Sequence, residues 1–540
     1  MIRLAPFSFS ARTKSLFGLS LLAAPLFLQG CGGSSTAATC SAASASTTSA
    51  RLSVTSNAQV AKYTYTAPGA GSVYVQFGTT TGYGRKTSSV TASSGSVSIL
   101  VAGMLANTTY HMQAVFTADD GTVTTDADQS FTTGGVPCKF TATLTGTTTS
   151  GMTPQPGIEM IDGGNNLDLP APVATDLQGN ILWTYAFPDE STGVSAMPIR
   201  LLANGDMLML LMHNSSTLLT NTTGVDTGSE VREINLAGDT VQSLSITELN
   251  ARLAAKGKTL TLGGFSHDVI QLSNGHFVLD ATTEQSVTLT GDTTPTTVLG
   301  DVIVDLDTNL QPVWTWNTFD HLDVNRHPFN FPDWTHANAI SYDPVDGSLL
   351  YSLRHQNWVL KVNYANGSGD GTILWKLGPQ GDFSLLATDG SVDNAPEDWF
   401  YSQHAAEYIS TDESGRITMS LMDNGNDRQF ANGTSCPVTA GDTCYSTIPI
   451  FQLDESAKTA KFLFHQILSP SLYNEWGGNT NILANGDVQY HLAGLSNSTK
   501  SAAYEVTGDS TAKTVWSMQM NNAQAYRGER WPSLYPGVQW

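Results

Sequence analysis

Residues 201–211 read LLANGDMLMLL, a tight turn between two apolar runs, and the figure returns four times. It recurs as QLSNGHFVLDA at 271–281, DPVDGSLLYSL at 343–353, TDESGRITMSL at 411–421 and ILANGDVQYHL at 482–492. Between the turns at residues 204, 274, 346, 414 and 485 the intervals are 70, 72, 68 and 71 residues. Asn-Gly and Asp-Gly between alternating apolar runs mark β-hairpins, and predict type I′ turns with positive φ at both central residues. A second mark falls between the turns: NILWTY around Trp183, SLSITE near Leu244, QPVWTW around Trp314, TILWKL around Trp375, KFLFHQ around Phe462 and KTVWSM around Trp516. A repeat of this length, holding a hairpin and later strands, is the pattern of a propeller blade. Five complete units and a sixth strand set split between the two ends of the region predict a six-bladed β-propeller over 136–540. Two stacked sandwiches would not give so regular an interval.

Upstream, residues 51–135 carry short alternating strands such as Ser72–Phe77 and Ser96–Val101, then LANTTYHMQAVF. The segment resembles a fibronectin type III sandwich, with Leu105 and Tyr110 where that family has its tyrosine corner. It lacks the strand tryptophan and carries no evident chemistry. The fold class is therefore all-β, a six-bladed propeller preceded by a small sandwich.

Charge and compartment agree with this. Lys plus Arg number 25 against 47 Asp plus Glu, a net charge of -22. Such a surface repels nucleic acid and anionic membranes, so an anionic ligand needs a local concentration of donors. Arg3, Arg12 and Lys14 precede the apolar run SLFGLSLLAAPLFL at 15–28, a signal-peptide pattern over 1–31. Leu28-Gln-Gly-Cys31 resembles a lipobox, which makes Cys31 the lipidation site and the only membrane contact. The small, uncharged residues 32–50 read as a flexible tether. These features place the protein outside the cytoplasm, periplasmic or anchored to the outer membrane. Cys436 and Cys444 share one polar loop and are expected to pair in that oxidising compartment; Cys40 with Cys138 is a second pairing to consider. Oligomeric state leaves no mark in the sequence.

The polar residues become informative when placed by phase. His267 lies 7 residues before Asn274, and His336 and His404 each lie 10 before their turn residues, Asp346 and Ser414. All three enter the same strand in three consecutive blades. The first strand of each blade lines the channel, so the imidazoles converge at one mouth. Arg354, 7 residues after Gly347, returns beside His336 and Asn338 on the paired strand. Asp423, Asn424 and Arg428 return beside His404, His213 returns one blade earlier, and Thr480 enters the last full repeat. Neutral donors around one guanidinium make a cradle for a tetrahedral oxyanion. Strand alternation directs His355 to the other face. His111, His276, His321, His327 and His465 fall off phase and are expected to be structural or exposed. Trp334 and Trp358 are candidates to wall an aromatic ligand.

Taken together, HDVIQLSNG, DWTHAN, SLRHQNWVLKV, ILWKLG, SQHAAEYI and DNGNDR resemble the bacterial arylsulfate sulfotransferase family, from about residue 150 to AYRGERWPSLYP at the C-terminal end. The paired DWTHAN and LRHQN are the most specific part. The resemblance implies sulfuryl transfer between phenols by a ping-pong route, with no cofactor or metal. It makes His404 the nucleophile that becomes sulfated, places His267, His336 and Arg354 with it in the catalytic set, and makes Asn338 and Thr480 substrate-binding residues. The first site reads Phe265-Ser-His-Asp268, where the family often has a double histidine or an aromatic residue. The pair Cys436–Cys444 follows DNGNDR rather than preceding the QH motif, so no role beyond holding a loop carries over. Two other classes use the same residues: a metal-dependent propeller hydrolase or lyase with His267, His336 and His404 as ligands, and a tethered propeller that only binds.

Overall fold

A computed structural model describes residues 42–163, 169–185, 194–212, 225–437, 443–495 and 499–540. The leader with Cys31, the tether up to residue 41 including Cys40, and His213 lie outside the described residues. Six antiparallel sheets of four or more strands form the blades. In the first the order from the inside is Ser195–Leu201, Met207–Met212, Glu230–Ile234 and Thr240–Ser245. The innermost strands of the second to fifth blades are Gly264–Gln271, Ala337–Asp343, His404–Thr411 and Asn479–Ile482. The sixth blade is the split one. Its innermost strand is Gly528–Trp531, and its other three are Ile158–Ile161, Val173–Thr175 and Ile181–Thr184. A second closure comes from Thr143–Thr148, which adds to the outer edge of the fifth blade against Thr514–Asn521.

The ring can be followed from blade to blade through side chains. Arg200 meets Asp268, and the Asp268 carboxylate accepts from the Ile340 N–H at 3.1 Å. Asn338 Nδ2 donates to the Gln403 carbonyl at 2.7 Å, and Ser420 Oγ donates to that of Thr480 at 2.6 Å. Asn479 exchanges two hydrogen bonds with the Gly528 backbone, and Arg200 reaches Glu529 at 3.2 Å. At the periphery the second sequence mark has a physical reason, because it falls on the fourth strand from the axis in every blade. The Trp183 indole donates to the Leu236 carbonyl of the next blade, Trp314 to Gly369, Trp316 to Gly371, Trp375 to Glu455 and Trp516 to Leu177. A buried indole needs a partner for its N–H, and here that partner staples neighbouring blades.

The turns depart from the type I′ expectation. At 204, 274, 414 and 485 only the glycine has positive φ, with Gly205, Gly275, Gly415 and Gly486 at 91, 86, 78 and 88°. In the first, the Gly205 N–H closes on the Leu202 carbonyl, and the Asn204 side chain accepts from the Asp206 N–H. This is a type I turn followed by a left-handed glycine bulge, so the Asn-Gly pair marks the hairpin but supplies one left-handed residue rather than two.

Before the propeller, Leu52–Val54, Ala61–Ala67 and Gly95–Val101 form one sheet of a sandwich. Gly71–Gly78, Thr109–Ala118 and Gln129–Thr132 form most of the other. Tyr63, Tyr65, Val73, Val75, Phe77 and Met112 fill the space between them. The Tyr110 hydroxyl accepts from the Leu105 N–H at 3.0 Å. Ser46–Thr47 already pairs with Phe131 and Thr132, so the stretch read as a tether joins the sandwich there. The sandwich docks on the outer strand of the sixth blade. Asn57, Gln59 and the Met104 N–H donate to the carbonyls of Thr184, Ile181 and Leu182. Among the described residues no helix is long and apolar enough to cross a membrane.

Candidate active site

The innermost strands of the second, third and fourth blades share an irregularity at one phase, where their pairing register slips. In the second blade Ser266 and Val269 pair with the adjacent residues Asp280 and Leu279, so His267 and Asp268 bulge out together. His267 and His336 have φ of 27 and 48°, and Ala405, next to His404, has 49°. Positive φ at a non-glycine residue costs on the order of 1–3 kcal/mol and persists only where the surroundings enforce it. The bulges turn the side chains toward the axis at one end of the ring. The His267 and His336 rings lie 4.8 Å apart, and the Tyr526 ring lies 5.7 Å from His267 and 6.0 Å from His404. Three imidazoles from three blades thus come together, His336 against His267, and His267 and His404 against Tyr526. Tyr526 itself, in an irregular segment after the fifth blade, carries no repeat signal.

His404 is 2% exposed, and Nδ1 lies 2.7 Å from Asn424 Oδ1. The Asn424 amide cannot be turned the other way. Its Nδ2 donates to the carbonyls of Asn474 and Gly477 at 2.9 and 3.1 Å, so Oδ1 must face the ring as an acceptor. The ring proton is therefore on Nδ1, and Nε2 keeps its lone pair. Burial, reinforced by the Arg354 charge, holds the His404 pKa well below the usual histidine range; burial and His336 do the same to His267. Both rings are neutral at physiological pH.

His336 is arranged differently. Its Nδ1 meets Asp333 Oδ2 at 2.5 Å. Burial opposes ionisation of Asp333, but the His336 imidazole bonded to it outweighs burial and holds the carboxyl below the usual carboxylate range. Asp333 lies in the loop before the strand, where the repeat offers no phase.

His355 requires a correction. At Arg354–Gln356 the chain leaves the strand for a 3-10 turn, so alternation no longer decides which way a side chain points. The His355 ring packs 4.5 Å from His336 and stacks on Phe329 at 4.6 Å. Its Nδ1 donates to the Asp333 carbonyl, and its Nε2 accepts from Arg354 Nη1 at 2.6 Å. Burial, His336 and Arg354 push its pKa down to about 3, so it stays neutral and holds the guanidinium. Arg354 returns to the His336 end as anticipated, with its N–H on the His336 carbonyl.

Three buried polar atoms here have no protein partner: Arg354 Nε, Asn338 Oδ1 and Thr480 Oγ1. Asn338 has spent one amide hydrogen on Gln403, which leaves its second N–H and Oδ1. Thr480 lies on the fifth inner strand, and its side chain makes no hydrogen bond to the histidines. Arg428 is not part of the cradle. Buried, it pairs with Asp423 and donates to the carbonyls of Glu397 and Trp399, tying down the loop that carries the Cys436–Cys444 disulfide. Cys138 is also disulfide-bonded. Trp334 and Trp358 are 1% and 7% exposed, and Arg326 and Lys376 lie over the Trp358 ring. His111, His276, His321 and His465 pair with Asp128, Asp305, Trp316 and Phe462, away from the cluster, and His327 packs on Phe331.

Among the described residues, the set with metal-ligand spacing is Asp333, His336 and His355, not His267, His336 and His404. His336 Nδ1, both His355 nitrogens and the Asp333 carboxylate already bond to one another, to the Asp333 carbonyl or to Arg354.

Residues 147–527 match the arylsulfotransferase (ASST) family as a whole. The chain belongs to the arylsulfotransferase family. It is 28% identical over 147 residues to the arylsulfate sulfotransferase AssT of Escherichia coli O6:H1. That match spans 24% of this arylsulfotransferase-family chain and 22% of the length of AssT. Solved structures share less. A putative 6-phosphogluconolactonase from Bacteroides fragilis is 10% identical, with 70% of this chain and 99% of that one covered at a TM-score of 0.32. A Lactobacillus plantarum protein is 9% identical, with 69% and 99% covered at 0.36. Likeness at that level carries no argument about this family member.

Proposed function

We propose that the protein moves a sulfuryl group from an aryl sulfate to a phenol in two steps through a sulfated His404. The observation that carries this is the fixed tautomer. His404 presents a bare Nε2 beside a guanidinium and two further imidazoles, with the Nδ1 proton held by Asn424. In the first step Nε2 attacks sulfur in line, the N–S bond forms, the S–O bond to the phenol breaks, and the departing oxygen takes a proton from His336. Asp333 compensates the charge on His336 while it holds that proton. Arg354, Asn338 and His267 stabilise charge spread over the three remaining sulfuryl oxygens, as in a loose phosphoryl transfer. In the second step a phenol gives its proton back to His336 and takes the sulfuryl group from nitrogen, which restores the enzyme. Arg354 Nε and Thr480 Oγ1 are buried donors without protein partners, which supports an anion site here. We further propose that the protein works outside the cytoplasm, tethered through lipid on Cys31.

The test uses the purified protein, a chromogenic aryl sulfate, and phenol present or absent. Release that depends on phenol, survives a chelator and disappears in His404→Ala is the expected result. Equal release without phenol identifies a sulfatase instead, loss with chelator favours a metal enzyme on the same histidines, and no release at all removes the enzymatic reading.

A further inference from the structure

Beneath the histidines the axis of the ring holds a second constellation. Asp268, 1% exposed, accepts from Arg200 Nη2 at 3.0 Å, from both terminal nitrogens of Arg527 at 3.3 Å, and from the Ile340 N–H at 3.1 Å. Arg527, 2% exposed, also donates from Nη2 to the Asn338 carbonyl at 2.7 Å. Arg200 goes on to Glu407 and Glu529 at 3.4 and 3.2 Å. On the side away from the histidines, Arg200 and Glu407 border a cavity of about 540 Å³ between the far ends of the inner strands.

As a source of stability this network is poor. The Asp268–Arg527 contact is long at 3.3 Å and leaves Arg527 Nε unpartnered, and burying such a pair costs desolvation that its attraction barely offsets. Its attachments are more telling. Asp268 follows His267 inside the same bulge, Asn338 is a site residue, and Tyr526, beside Arg527, has its ring against His267 and His404. One ion pair therefore fixes a point on each of three segments that bear the site.

We propose that Asp268 and Arg527 are positioning residues that hold His267, Asn338 and Tyr526 in register around the transferred group. This rests on the sulfuryl-transfer reading above. The test compares wild type, His404→Ala, the apolar double variant Asp268→Leu/Arg527→Met, and Arg527→Lys, which keeps the charge but offers a single donor point. Thermal unfolding is followed beside kcat and KM for the aryl sulfate and for the phenol. The double variant is expected to stay folded but melt below the wild type, because Arg200, the Ile340 N–H and the Asn338 carbonyl lose a partner, while kcat falls about 100-fold, the loss that a displacement of about 1 Å brings. KM should change far less, and Arg527→Lys should recover part of kcat. A double variant that is stable and turns over like wild type overturns the proposal. If the double variant does not fold, Arg527→Lys decides: a lower kcat at unchanged melting supports positioning, and a wild-type kcat sinks it. If wild type itself transfers nothing, the functional reading fails and the positioning role falls with it, an outcome separate from either of these.

Discussion

Asn424 sets what His404 can do, because backbone carbonyls on its far side decide which end of its amide the imidazole meets. This gives the pH dependence a sign. His404 must be neutral to attack, and its pKa is held well below the ordinary value of about 6.5, first by burial and then by Arg354. The acid limb of kcat/KM should therefore lie below pH ~6.5, with activity lost as pH falls through the folded value. In Asn424→Asp a carboxylate replaces the amide oxygen, favours the imidazolium and moves that limb to higher pH, whereas Asn424→Ala should lower the rate without that move. A pH–rate profile of the three proteins checks both outcomes. His404, His267 and His336 were legible because the repeat gives each residue a phase, and Asn424 because it returns on the paired strand. Asp333, Tyr526 and His355 were not: two lie outside the repeated strands, and the third lies where the chain turns out of its strand and alternation lapses.

The strands that close the ring are held by charge as well as by pairing. On Gly528–Trp531, Arg530 is buried between Glu159 of the same blade and Glu505 of the fifth, bonded to both. Removing the cation leaves two carboxylates in a dry interface, so Arg530→Met is expected to cost about 3–5 kcal/mol. Urea unfolding measures it, and a loss under ~1 kcal/mol, the size of an exposed pair, would show that the closure does not depend on this contact. The split blade itself could be read from the sequence, since five complete units leave strands over at both ends. The bulges could not, because an inserted residue in one strand is invisible until its partner is known. For the same reason Asn-Gly announced the hairpins but misled about their type, which depends on what the first of the two residues does.

At the level of the whole molecule, the sandwich and the propeller share the tail. The Tyr535 hydroxyl bonds to the Ala102 N–H and the Leu100 carbonyl, while the Trp540 ring packs on Phe77 beneath the Arg85 guanidinium. The sandwich thus holds the blade in which the two ends of the propeller chain meet. A lipid on Cys31 would keep this assembly at a membrane surface. Cell fractionation tests that placement: the wild type should pellet with membranes, and Cys31→Ser should leave them for the soluble fraction. Finding both in the soluble fraction would rule out the anchor. Composition made the acidic surface plain, yet it did not show that the histidine cluster is built around an arginine whose near neighbour is another imidazole rather than a carboxylate.

The repeated bulge also separates what can vary from what cannot. The first blade has the same slip in register, between Ala196 and Ile199, without a histidine in it. The backbone device recurs in the first four blades, while the chemistry belongs to the single side chain it displays. Duplicated blades can gain or lose a reactive group by one substitution, and the ring that carries them need not change.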